Sequence, residues 1–294
     1  MDQIFGIPIN AFMGQLLIGL INGSFYALLS LGLAVIFGLL NIINFTHGAQ
    51  YMMGAFGAYF LLNKLGLNYW WALFVVPILV GATGVVIERF MLSKLYKLDH
   101  LYGLLLTFGL ALIIEGIFRN EFGSAGLPYS MPSQLEGGHN LGFMFLPNYR
   151  GWVIGASLVV CIGTWLLIEK TKLGAYLRAA TENPKMVEAF GVNVPRMITL
   201  TYGFGVALAA LAGVFAAPIY QVSPQMGSSL IIVVFAVVVI GGMGSILGAV
   251  ITGFGLGIIE GLTKVFYPEA SNTVIFVIMA IVLMIRPQGL FGQR

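Results

Sequence analysis

Long apolar runs alternate with short polar breaks along the whole chain, and their lengths predict helices rather than strands. Apolar helices are expected at about 11–40, 48–62, 69–88, 103–118, 151–168, 198–221, 229–240, 245–262 and 272–286. Several reach the roughly 20 residues that a helix needs to cross a hydrocarbon core about 30 Å thick. The first run is too long for a straight perpendicular span, and Asn22-Gly23 offers a place to tilt or break. The run at 229–240 is too short to cross alone and closes on Gly241, Gly242 and Gly244. Both predict irregular helices, which lipid tolerates only where protein or a water-filled cavity covers the backbone.

Composition turns this pattern into a fold class. The chain is 59% hydrophobic and 9% charged, whereas a soluble domain carries about 25% charged residues, so a soluble fold would have no surface to offer water. The expectation is an all-α polytopic membrane protein of about eight or nine transmembrane helices, some short or broken, forming one domain over 1–294. The net charge of +3 does not point to nucleic acid, because the charges sit in the loops. Of the 14 Lys and Arg, 10 fall in 89–100, in 169–197 and at the C-terminus. The positive-inside rule then puts the N-terminus in the periplasm, the C-terminus in the cytoplasm and 119–150 outside as the largest external loop. The lone Cys161 leaves no disulfide within the chain, and "MDQIFGIPIN" lacks the basic start of a cleaved signal peptide.

Small residues at four-residue spacing, Gly253, Gly257 and Gly261 or Gly205, Ala209 and Gly213, predict close helix packing in lipid. Enzymatic chemistry finds no foothold. No GxxxxGK[ST] or HExxH occurs, and His47, His100 and His139 fall in three separate regions. Glu115 and Glu260 lie near span ends, where each can reach the interface or pair with Arg119 or Lys264. No mid-span acid of the kind that coupling-ion transporters use is evident.

Two polar segments stand out. "NIINFTHGAQ" concentrates Asn41, Asn44, Thr46, His47 and Gln50 between two apolar runs. With Asn22 and Tyr26 of the first helix, these are the candidate pathway or hinge residues. They can satisfy the backbone of a broken helix, form an inner gate, or, through His47 with an ordinary pKa of about 6.5, carry a proton. The loop 169–197 predicts two short amphipathic helices. One runs from about Leu173 to Thr181 with Tyr176, Leu177 and Ala180 on its apolar face. In the other, Asn183 is the N-cap, Pro184 the first helical residue and Gly191 the residue past the end, with Met186, Val187 and Phe190 as its apolar face. Such helices either lie on lipid or dock in a partner's groove.

Three blocks carry a family resemblance: "NGSFYALLSLGLAVIFGLLNIINFTHGAQYMMGA", "LGAYLRAATENPKMVEAFGVNVPRMITLTYGFGVALAALAGVFAAPI" and "AVVVIGGMGSILGAVITGFGLGIIEGL" with the tail "RPQGLFGQ". In this order they resemble the smaller integral membrane permease of the branched-chain amino acid ABC importers. The resemblance implies a transport subunit rather than an enzyme, with no cofactor on this chain. The implied partners are a second homologous permease, two cytoplasmic ATP-binding subunits that hold ATP and Mg, a periplasmic substrate-binding protein and the lipid bilayer of a bacterial inner membrane. It also implies that Arg178, Glu182, Asn183, Pro184, Met186, Val187, Phe190 and Gly191 belong to the loop that couples to an ATPase. The alternatives are a similar importer for urea or short amides, and an ATP-independent secondary transporter or channel.

Overall fold

The computed structural model describes residues 3–4, 7–40 and 43–292. Among the described residues eleven α-helices carry the fold: α1 (Ile9–Leu40), α2 (Thr46–Leu65), α3 (Tyr69–Phe90), α4 (His100–Phe122), α5 (Asn148–Glu169), α6 (Lys172–Glu182), α7 (Pro184–Ala189), α8 (Val194–Ala216), α9 (Met226–Gly241), α10 (Ile246–Phe266) and α11 (Val274–Ile285). The strands among the described residues are two short antiparallel pairs, Gln3–Ile4 with Ile7–Pro8 and Gly138–Asn140 with Phe145–Pro147. Six helices (α1, α3, α4, α5, α8 and α10) are long and apolar enough to cross a membrane, and α9 and α11 are shorter apolar helices. The chain is a polytopic helical membrane protein.

Each predicted apolar run holds a helix, but the edges move: α8 runs Val194–Ala216 rather than 198–221, α10 extends to Phe266 rather than 262, and three further differences bear on packing and the site. First, α1 does not break at Asn22-Gly23. It is one helix of 32 residues, about 48 Å long at 1.5 Å per residue, and Gly23 serves packing instead. Second, α2 begins at Thr46, two residues before the predicted start, where the Asn44 side chain accepts from Thr46 N. Third, α4 and α5 reach further than hydropathy suggests, so the 119–150 loop shrinks to the segment between Phe122 and Asn148. Polar caps extend α4: the Asp99 side chain accepts from Leu101 N at 2.8 Å.

The chain divides into two compact units. One comprises Met1–Ser30, Ser130–Cys161 and Val233–Arg294; the other comprises Leu31–Tyr129 and Ile162–Ile232. Within the first, α10 lies on α1 backbone to backbone. A Cβ at Gly257 would fall on Gly23, and one at Gly253 on Ala27. Ser30 donates from its hydroxyl to Ala249 O at 3.2 Å. Lipid supplies no hydrophobic force between such faces, so close van der Waals approach holds them.

Within the second unit, α8 packs on α2 and α3 by the same device. Gly54 abuts Ala210 O, Gly213 abuts Tyr51 O, and a Cβ at Gly81 would stand 3.0 Å from Gly203 O. Burial separates inner from outer helices: 72% of the apolar window of α8 is buried but only 11% of that of α4.

Candidate functional site

The polar cluster gathers where α2 begins. Asn44 Oδ1 accepts from Thr46 N at 3.1 Å, satisfying one of the free N–H groups of a helix start. The Thr46 hydroxyl donates to the same oxygen. One turn on, Gln50 Nε2 donates to Thr46 Oγ1 at 3.3 Å. Asn44, Thr46, His47 and Gln50 are all buried. The His47 ring covers Gly32 of α1, where a Cβ would sit 2.9 Å from Cε1. From α8, the buried Tyr202 turns its phenol toward Thr46, Gln50 and Asn44. Thr107 of α4 closes the other side, accepting from Phe45 N at 3.3 Å and donating to Ile43 O at 3.1 Å.

Thus four sequence candidates converge, joined by Tyr202 and Thr107, which sequence did not single out. Asn41 lies outside the described residues. Among the described residues, Asn44 Nδ2 and Gln50 Oε1 have no hydrogen-bond partner. A spare donor and a spare acceptor in a buried polar pocket suit water or a small polar group. The set offers no nucleophile–base pair, and among the described residues no three His, Cys, Asp or Glu side chains gather as metal ligands.

Asn22 and Tyr26 belong to the other unit. Asn22 is half-buried on α1. The Tyr26 hydroxyl donates to Glu260 Oε2 at 2.6 Å, and Lys264 pairs with the other carboxylate oxygen.

In the 169–197 loop both expected helices, α6 and α7, form, and α7 begins on its expected side-chain cap. Asn183 Oδ1 accepts from Met186 N at 3.1 Å, Pro184 opens α7, and Gly191 follows it with φ +84°. Arg178 pairs with Glu169 at 3.3 Å, and Glu182 is exposed. The expected apolar faces are divided differently. Leu177, Ala180 and Val187 turn inward onto Val194 and Met197 of α8 and make a small core of the loop's own. Tyr176, Met186 and Phe190 stay outside, Phe190 at 81% exposure. Two faces expected to work outward thus supply half their residues to fold the loop.

The glycines Gly241, Gly242 and Gly244 end α9. Gly242 and Gly244 have φ of +102° and +85°, and Gly241 lies against the Gly248 backbone of α10. The tail returns here: Leu290 N donates to Ile240 O at 2.8 Å and Phe291 N to Gly241 O at 3.1 Å, satisfying carbonyls that a helix end leaves free. Gly261, the third of the α10 glycines, abuts Gln15 O.

The family described as "Branched-chain amino acid transport system / permease component" matches residues 15–283. This chain belongs to that permease family. It is 31% identical over 299 residues to the high-affinity branched-chain amino acid transport system permease protein LivH of Escherichia coli K12, covering 96% of each chain. It is also 31% identical over 295 residues to the corresponding permease protein BraD of Pseudomonas aeruginosa, again with 96% coverage of both. Among solved structures, PsaBC from Streptococcus pneumoniae in complex with Fab aligns over 95% of both chains with a TM-score of 0.50 and 14% identity. That likeness concerns fold alone.

The permease holds one further buried group that sequence reasoning missed. Glu88, near the end of α3, is 2% exposed. Thr199 Oγ1 of α8 and the Tyr96 hydroxyl both donate to it, each at 2.5 Å. Burial, and next the bond to Glu88, push the Tyr96 phenol well above its ordinary value. Beside these groups opens a polar cleft of about 600 Å³, bordered by Arg89, Ser93, Asn193 and Arg196. In sequence, Glu88 next to Arg89 looks like an ordinary charged span end.

Proposed function

We propose that this permease is one membrane subunit of an ATP-driven importer for branched-chain and other hydrophobic amino acids, delivered by a periplasmic binding protein. Similarity at 31% identity, running along 96% of a relative described as a high-affinity branched-chain amino acid permease, supports this reading. In it a second homologous permease completes the membrane channel. Two ATP-binding subunits hold ATP and Mg and supply the work, so this chain needs no cofactor of its own. The basic loops set the orientation, with the 169–197 loop and the C-terminus in the cytoplasm.

The loop's exposed residues fit the helix-in-groove mode of docking. Met186 and Phe190 project from a framework fixed by its own small core. ATP-driven closure of the partner subunits moves this framework, and the paired permeases exchange inward-open and outward-open states. Each ligand shifts that balance only by its differential affinity for the two states. The apolar amino acid needs weak contacts along its path, because tight binding would slow its release.

The deciding experiment is uptake by the five-part complex in proteoliposomes, using labelled leucine, isoleucine, valine, urea and a short amide. Leucine import that requires ATP is expected. Leucine import without the ATPase subunits, or import of urea in preference to leucine, overturns the reading. Within the same assay, Phe190→Ala is expected to cut ATP-dependent uptake by about tenfold or more, as loss of an aromatic docking anchor does. Full uptake by that variant removes Phe190 from the docking surface.

A further inference from the structure

A groove beside the polar cluster has a chemistry that neither membrane packing nor the cluster explains. α2 and α9 meet where Gly48 and Gly227 touch, and a Cβ on either would strike the other's backbone. α4 runs alongside, its Phe108 edge-on to Phe45 with ring centroids 5.8 Å apart. The space enclosed is about 240 Å³, below the roughly 300–1,000 Å³ of sites for drug-sized ligands. Its walls are hydrocarbon: Phe45, Phe108, Leu112, Ile231 and Ile232.

The rim is different. Glu115 borders the groove, 15% exposed, and pairs with Arg119 one turn further along α4. Desolvating a carboxylate among aromatic and aliphatic side chains is costly, and an isolated pair of this kind returns little stability. α4 is the least buried of the long apolar helices, so the pair does not complete a core. A lipid acyl chain could fill the groove but would have no use for the charges. A zwitterion with a branched apolar side chain uses every part of it.

We propose that this groove is a contact site for the apolar amino acid as it crosses the permease. The side chain lies between Phe45, Phe108 and Ile231, the ammonium meets the Glu115 carboxylate, and the α-carboxylate meets the Arg119 guanidinium. Gly48, Ala49 and Ala111 keep the floor low enough to admit a four-carbon branch. The contact is transient, because Phe108 and Ile232 are 48% and 57% exposed and the groove stays open along that side. This assignment rests on the amino acid importer reading above, and names where in this chain the solute touches.

The test uses the assembled five-part complex in nanodiscs and a diazirine analogue of leucine. Irradiation is expected to label residues in 104–119 and 224–232, and excess leucine should abolish the label. Glu115→Gln, which keeps the shape and removes the charge, should lower labelling by about tenfold, the scale of one lost charge-assisted hydrogen bond. Ala111→Phe, which fills the groove from α4, should lower it as well. Co-purification of all five parts verifies that each variant assembles. Labelling confined to other segments overturns the site. So does labelling that excess leucine leaves unchanged while a diazirine phospholipid reproduces it, which marks an acyl-chain crevice. Leucine uptake by the unsubstituted complex separates the two levels: import without groove labelling overturns this site alone, whereas no import overturns the importer reading and this site with it.

Discussion

Glu260 and Glu88 are both buried carboxylates, one in each compact unit, yet they are satisfied in opposite ways. Glu260 finds a cation on its own helix, Lys264, and one hydroxyl from Tyr26 of α1. Glu88 finds hydroxyls alone, from Tyr96 in the α3–α4 connection and Thr199 on α8. Its neighbour Arg89 is exposed and, among the described residues, forms no ion pair. A charge balanced within one helix leaves its partners free to move. A charge balanced by donors from two other segments ties those segments together. Glu260 thus belongs to the α1–α10 packing as a local pair, whereas Glu88 is a fastening for the end of α3, the start of α8 and the chain between α3 and α4.

The sharpest way to break this comparison is to remove the backbone contact that brings Tyr26 to Glu260. Gly257→Leu drives a side chain into Gly23 and Gly19 and is expected to cost more than about 4 kcal/mol, seen as lost yield of assembled protein. Undiminished yield would show that α1 and α10 do not rely on close approach. Next comes Glu88→Ala, which leaves the Tyr96 hydroxyl without its acceptor, while Thr199 keeps Pro195 O at 3.0 Å, and is expected to cost about 2 kcal/mol in denaturant unfolding. Glu88→Gln, which retains an acceptor, should recover about half of that loss.

Glu260→Gln is expected to cost only about 1 kcal/mol, because Lys264 is 31% exposed and water screens the pair. Adding Lys264→Met should restore most of it. Equal losses for Glu260→Gln and Glu88→Ala would dissolve the distinction. The smallest effect belongs to Tyr96→Phe, about 0.5 kcal/mol near neutral pH, because Thr199 still donates to Glu88. With its folded-state pKa raised above the unfolded value of about 10, Tyr96 contributes stability that is complete below that pH and is lost as pH rises through the folded-state value. The melting-temperature gap between the native chain and Tyr96→Phe should therefore stay flat from pH 7 to about 10. A gap that closes within that range would show the phenol ionising normally.

The helices were legible because each long apolar run is bounded by polar residues, and the ends of α6 and α7 were legible because Asn183, Pro184 and Gly191 act locally. What sequence could not supply was partnership. Asn22-Gly23 reads as a break when seen alone; only the facing residues Gly253 and Phe254 of α10 make it a contact. Met186, Val187 and Phe190 look equivalent along α7, and the division among them depends on where Val194 and Met197 lie. Glu88 was illegible for the same reason, since its donors are 8 and 111 residues away. At the polar cluster, the spacing of Asn44, Thr46 and Gln50 shows one another's partners, but Tyr202 arrives from a helix more than half the chain later.

The small core beneath α7 also sets how force passes through this part of the chain. Leu177, Ala180 and Val187 are packed directly on the first turn of α8, and packed side chains have little compressibility. A load applied at Phe190 is therefore not absorbed by a slack connection. Under the docking reading proposed above, it would reach Val194 and Met197 as a displacement of α8 itself, and Thr199, half a turn beyond, would pass it to Glu88 at the foot of α3. The loop behaves as a stiff lever whose short arm is a helix end.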